Sequence, residues 1–422
     1  MDTSNAQHQR AIYLNGFAGQ KPLVPIDARL LEQQAHQAMS PEAFAYIAGG
    51  AGLEETVAAN RSAFQQYQIV PRMLRDVSAR DTSIELFGKK LPAPLLLSPV
   101  GVLELVHREA DVAVGRAAAQ LGIPYIFSNQ ASKPMETVAT AMAGQPRWFQ
   151  LYWSKSNALV ASFVQRAEAC GCSAIVVTLD TTLLGWRTRD LDLAYLPFLE
   201  GKGIAQYTSD PVFQKLMDEP VPSAPRNITA HSLRGLVSMV NAYPGSGFLR
   251  KLRSGRPVKA VQQFVNTYSN PALTWSDLKF LRDRTQLPIL LKGILHPDDA
   301  QQALDHGING IIISNHGGRQ VDGAISTLQA LPAVAAAVKQ KVPVLLDGGI
   351  RGGADIFKAL ALGANAVCIG RPYVYALAVA GQAGVEQYLR HLLADFDLTM
   401  GLAGCKSIRE ISIESLNQRP VF

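Results

Sequence analysis

Eight short apolar runs, rich in β-branched residues or leucine, recur along the chain, and each gives way to small or polar residues and then to a helix-like segment. They are APLLLSPVG (93–101), PYIFSNQ (124–130), RWFQLYW (147–153), AIVVTLD (174–180), PILLKG (288–293), GIIISNHGG (310–318), PVLLDGG (343–349) and AVCIGRP (366–372). Runs without polar alternation are what strands covered on both faces look like, and strands alternating with helices form a parallel sheet. Eight of them predict an α/β fold, a closed (β/α)8 TIM barrel. The intervening DVAVGRAAAQLG, ALVASFVQRAEACG and DIFKALALGA carry apolar residues at helical spacing and end in glycine, a usual helix stop.

One gap is too long for a single crossover helix. Between Asp180 and Pro288 the chain holds DPVFQKLMDEPVPSAPRNITAHS, PGSG and RSGRP, whose prolines, glycines and charges break regular elements. Long insertions in compact domains are lids or disordered connections. This one leaves the C-terminal end of the fourth strand, so it reads as a lid over about residues 190–275. Residues 1–90 include a helix, PEAFAYIAGGAG, that stops at Gly49-Gly50, but no core of a second domain. They are expected to cap one barrel domain formed by residues 91–422.

Composition narrows the function classes. With 422 residues, 48% hydrophobic and 18% charged, the chain is ordinary globular material. A net charge of +6, with basic residues scattered among acids, argues against nucleic acid and is compatible with small anionic substrates. The four cysteines, Cys170, Cys172, Cys368 and Cys405, lack metal or redox spacing and read as small buried hydrophobes in a reducing cytosol. No metal site is expected. MDTSNAQHQR has no apolar leader core, and no stretch reaches the apolar length of a membrane span, so a soluble cytoplasmic protein with no membrane partner is expected.

Active sites of such barrels lie at the C-terminal strand ends. Those ends supply Pro99-Val100-Gly101, Ser128, Gln150 and Tyr152, Thr178 and Asp180, Lys292, Ser314, His316 and Arg319, Asp347 with Gly349 and Arg351, and Gly370-Arg371. Each alone has an ordinary structural use as a cap, a turn or a solvated end. Together they crowd hydrogen-bonding groups onto one rim. Glycines and arginines around the last two strands, in DGGIRGGADIFKALALGA and IGRP, fit phosphate binding at a helix N-terminus. His316 is the candidate base, with Asp180 able to orient its ring, and Arg187 and Arg319 form a candidate fork for a carboxylate.

SNHGGRQ, LPILLKGI, DGGIRGGADIFKALALGA and IGRP, taken as a set, resemble the FMN-dependent 2-hydroxy acid oxidases and dehydrogenases over about Tyr46 to Arg371. Within that family TLDTTLLGWRTRDLDLAYLPFLEG, DPVF, HPDDA and the long insertion are most similar to the lactate 2-monooxygenase branch. The resemblance implies FMN in the barrel mouth. Pro99, Val100 and Gly101 would line the flavin near N5, Ser128, Gln150 and Thr178 would bond its ring, and Lys292 would stabilise its anionic reduced form. Ser314 and Asp347 would hold the ribityl chain, and Gly349, Arg351, Gly370 and Arg371 the phosphate. Tyr46, Arg187 and Arg319 would bind the substrate carboxylate, Tyr152 the substrate oxygen, and His316 with Asp180 would take the proton.

The same resemblance implies a small L-2-hydroxy acid, L-lactate, as substrate, O2 as acceptor, oxidative decarboxylation to acetate, and a homotetramer or larger assembly. Gly101 where many family oxidases carry alanine, Asn129-Gln130 where plant-type members carry Ser-Trp, and Trp186 in place of an arginine agree with the monooxygenase branch. Three alternatives remain open: an oxidase releasing keto acid and hydrogen peroxide, a dehydrogenase with another acceptor, and a flavin or phosphate-ligand barrel without redox chemistry.

Overall fold

All eight apolar runs form strands. In the computed structural model, which describes residues 5–220 and 229–418, they are β1 (Leu95–Leu97), β2 (Tyr125–Phe127), β3 (Arg147–Leu151), β4 (Ile175–Thr178), β5 (Ile289–Ile294), β6 (Gly310–Ile313), β7 (Val344–Asp347) and β8 (Ala366–Ile369). The first four residues of the N-terminal segment and the VPSAPRNI stretch of the insertion therefore lie outside the described residues. Every neighbouring pair is parallel, and β8 pairs with β1 to close the barrel in sequence order.

Two cores follow from the two-residue period of a strand. Inward side chains Leu96, Ile126, Trp148, Val176, Leu290, Ile312, Leu345 and Cys368 pack together inside the barrel. Their outward neighbours, such as Leu95, Phe149, Val177 and Ile311, join the larger core beneath the helices. A hairpin of Ile84–Leu86 and Lys89–Leu91 sends Leu86 and Leu91 into the inner core, and Phe87 lies 5.7 Å from the Trp148 ring. The N-terminal segment thereby plugs one end of the barrel and, through α1 (Asn5–Phe17), packs along α6 (Arg371–Leu402).

The insertion differs from its sequence reading. Its prolines start helices as well as ending them: Pro211 and Pro257 sit in the first turns of Pro211–Leu216 and Arg256–Thr267, where the missing N–H costs nothing. Asp210 caps the first of these through Val212 N and Phe213 N. Besides α2 (Pro41–Ala48) in the N-terminal segment, the elements used below are α3 (Ala230–Ala242), α4 (Phe248–Ser254) and α5 (Arg256–Thr267) of the insertion. The insertion forms a wall anchored at both ends, by Arg166 on Asp210 at 3.0 Å and by Ser154 Oγ donating to Thr267 O at 2.9 Å.

Candidate active site

Two residues beyond each inward core side chain, the same period delivers Ser98, Ser128, Gln150, Thr178, Lys292, Ser314 and Asp347 to one end of the barrel. They join as two hydrogen-bonded arcs. Ser128 Oγ donates to Gln150 Oε1 at 3.2 Å and Gln150 Nε2 to Thr178 Oγ1 at 3.0 Å. On the other side Lys292 Nζ donates to Ser314 Oγ at 2.8 Å, and Ser98 and Ser314 each donate to Asp347 at 3.1 Å. Lys292 also pairs with Asp347 at 2.8 Å. Burial opposes its charge, but the Asp347 and Asp180 carboxylates outweigh that and raise its pKa. A fixed ammonium therefore sits in the ring.

Above it stands the His316 pair. The chain turns through left-handed conformations at His316, Gly317 and Gly318 (φ 57°, 65° and 78°), which glycine accepts without strain and which re-aims the imidazole. His316 Nδ1 lies 2.8 Å from Asp180 Oδ1, and Thr181 Oγ1 is 3.2 Å from the same nitrogen. Nε2 is then the nitrogen on the cavity side. The close seat of Asp180 depends on Gly293, whose Cβ would stand 3.0 Å from Asp180 Cβ at the β5 bulge. Burial lowers the His316 pKa against the pull of Asp180. Burial would raise the Asp180 carboxyl, yet the His316 and Lys292 charges and the bonds to His316 and Thr181 hold it low. At neutral pH the pair is a neutral imidazole against a carboxylate, the state a proton acceptor needs.

Four guanidinium groups, Arg187, Arg319, Arg351 and Arg371, line the same cavity, and among the described residues none has a carboxylate within ion-pair distance, Asp190 acting on Arg187 and Arg319 only from farther off. Burial and the Arg187 and Arg371 charges push Arg319 down to about 9, and burial with Arg351 lowers Arg371. Such a cluster calls for anions. Arg187 is held by Gln320 Oε1 at 3.2 Å and Arg319 O at 3.3 Å. Arg319 donates to the carbonyls of Tyr46 and Gly49, with its guanidinium 5.0 Å from the Tyr46 ring centre.

The residues of the expected phosphate end line the cavity together: Gly349, Arg351, Gly370 and Arg371, with Gly370 capping the start of α6. Arg371 also donates to the Ile47, Gly49 and Gly317 carbonyls, the first two at the C-terminal end of α2. These bonds use three of its five N–H groups and leave two for an anion.

Pro99, Val100 and Gly101 line one side of the cavity, which measures about 310 Å³, within the usual range for ligand sites. A Cβ on Gly101 would lie 3.0 Å from both Cβ and O of Gln130. Tyr152 is buried, and burial with the Asp180 charge pushes its hydroxyl up to about 12, so it stays a donor at neutral pH. The insertion contributes an apolar wall: Phe198 stands edge-on to Tyr46 at 6.3 Å, and Phe264 lies 5.1 Å from Phe198 and from Tyr268. It is seated by Glu104, which accepts from Gly203 N at 2.9 Å.

Sequence reasoning missed Ser98, Thr181 and Gln320. For Ser98 the signal was present, two positions beyond the inward Leu96. Thr181 and Gln320 are adjacent to named site residues, and only the folded turn reveals what they touch.

A model of the FMN-dependent dehydrogenases matches residues 35–418. An L-lactate oxidase of Lysinibacillus sphaericus (strain C3-41) is 42% identical over 397 residues, covering 94% of each chain. An FMN-dependent alpha-hydroxy acid dehydrogenase of Penicillium citrinum, qulF, is 39% identical over 97% of this chain and 95% of its own. Among solved structures, a crystal structure of mandelate oxidase superposes with a TM-score of 0.75 at 35% identity, covering 94% of this chain and all of that one.

Proposed function

The chain belongs to the FMN-dependent dehydrogenase family, whose members use FMN to oxidise 2-hydroxy acids, and from that premise we propose that it oxidises L-lactate with O2 and decarboxylates the product to acetate. The residues present fit the cofactor. The polar arcs offer donors and acceptors to a flat ring, the Lys292 ammonium suits a ring that gains negative charge, and the unpaired guanidiniums suit a phosphate and a carboxylate. FMN, when bound, supplies a two-electron acceptor for the α-carbon and, once reduced, a donor to O2.

The protein supplies the rest. Arg187 and Arg319 keep enough N–H groups beyond their backbone and Gln320 bonds to clamp the lactate carboxylate, with Tyr46 beside them. Tyr152 donates to the substrate oxygen. His316 Nε2 accepts a proton, and Asp180 stabilises the imidazolium that results. Ser314, Asp347, Gly349, Arg351, Gly370 and Arg371 serve the cofactor's chain and phosphate, Arg371 through the N–H groups that its carbonyl bonds leave. The single observation that carries the reading is the 2.8 Å His316–Asp180 contact beside guanidiniums with no carboxylate at ion-pair distance among the described residues.

The decarboxylation rests on the insertion acting as a lid, since pyruvate and hydrogen peroxide must meet before either escapes to give acetate, carbon dioxide and water. The aromatic wall and the Glu104–Gly203 contact support that retention. A second reading, in which pyruvate and peroxide are released, is favoured by the 42% identical relative named L-lactate oxidase. Product analysis from L-lactate under air tests both. Acetate with carbon dioxide supports the first, pyruvate with peroxide the second, and a yellow protein that L-lactate does not bleach without oxygen would end the redox assignment.

A further inference from the structure

Basic residues are scattered among acids along most of the chain, but the net excess of positive charge comes from one stretch. Of 40 basic and 34 acidic residues, seven basic and no acidic ones lie in residues 220–276, so the other 365 residues carry 33 against 34. The described part of that stretch includes α3, α4 and α5. Arg234, Arg250, Arg253 and Lys259 are exposed there. Among the described residues, Arg256 is the one basic side chain of the stretch with a carboxylate partner, Asp218 at 3.3 Å.

Apolar side chains stand among these charges. Leu233 and Val237, one turn apart on α3, are 59% and 42% exposed, and on α4 Leu249 is 63% exposed beside Phe248 and Leu252. Helix α4 packs against α3 and α5 yet buries none of its own seven residues. The spacing of Phe248, Leu249 and Leu252 puts them on one helical face, and Arg250 and Arg253 flank it. A purely solvated face needs no leucines, and apolar residues set among arginines and lysines are the composition of helices that lie in a membrane interface.

We propose that the α3–α4 face docks peripherally on an anionic lipid surface, with its leucines and Phe248 entering the headgroup layer and its arginines, with Lys259 of the adjoining α5, meeting lipid phosphates and carboxylates. Nucleic acid would use the charges and leave the leucines idle. A second copy of the same face would set like charges against each other. No described helix is long and apolar enough to cross a membrane, so the contact is one of surface adsorption.

The test is sedimentation of the FMN-loaded protein with vesicles of phosphatidylcholine alone or mixed with phosphatidylserine. Binding only to the anionic vesicles, released by added salt, is expected. The pairs Arg250→Glu/Arg253→Glu and Leu249→Ser/Leu252→Ser should each cut that binding by about tenfold or more while leaving lactate turnover unchanged. Equal binding to both vesicles, no binding, tighter binding to an oligonucleotide, or a change of oligomer mass in either variant would overturn the proposal. Because the readout is sedimentation, it stands or falls separately from the redox reading.

Discussion

Around the barrel rim, Ser128, Gln150, Thr178, Lys292, Ser314, Asp347 and Ser98 meet through side-chain hydrogen bonds of 2.8 to 3.2 Å, whereas the insertion meets the same cavity with Phe198, Phe264 and Tyr268, ring against ring. The first set is fixed by strand period and buried charge. The second is fixed by packing, which tolerates exchange of one apolar shape for another far better than a buried ion pair tolerates loss of a partner. On the proposed reading, chemistry belongs to the rim and choice of substrate side chain to the wall.

The largest losses are expected at the rim. His316→Ala should lower kcat/KM for L-lactate by about 10²- to 10⁴-fold with FMN retained, the usual worth of a positioned base. Unchanged kcat/KM in that variant would remove the imidazole from the reaction. In the intact protein, burial lowers the His316 pKa below its ordinary 6.5, so the base is already neutral at pH 7. Activity should therefore be lost on acidification with a midpoint below pH 6.5, separate from any alkaline loss as Arg319, lowered to about 9, gives up its charge. An acid limb with its midpoint above pH 6.5 would contradict this.

Asp347→Ala comes next. It strands the Lys292 ammonium in a buried site and should cost about 3–5 kcal/mol of stability, read as a lowered unfolding midpoint. A variant as stable as the parent would show that Asp180 alone can hold that charge. Gly101→Ala places a Cβ 3.0 Å from Gln130 and should cost about 1–3 kcal/mol in stability unless the backbone yields, while shifting the acetate-to-pyruvate ratio. At the wall the effect should be smallest. Glu104→Ala removes one contact to Gly203 N, worth about 1 kcal/mol, and should raise the escape of keto acid without altering anaerobic bleaching by lactate.

The same contrast explains what could be read from the sequence. Each barrel strand was legible because parallel strands buried on both faces are uninterrupted apolar runs, and the rim followed because their inward register continues for two residues. His316 and Asp180 were paired from chemistry and strand position, and the structure brings them within 2.8 Å. The insertion was misread where Pro211 and Pro257 open helices, although VKAVQQFV carries helical spacing that marks α5. Two carbonyl partners of Arg371 could not be read from its motif, because Ile47 and Gly49 lie more than three hundred residues earlier. Contacts between distant segments leave no local trace.

The hairpin that plugs the barrel has a kinetic corollary. With Leu86, Leu91 and Phe87 stoppering the far end, a 2-hydroxy acid has the strand-end mouth to enter by. On the proposed reading its keto acid would occupy the same arginine-lined seat, so the keto acid should inhibit competitively against its own precursor.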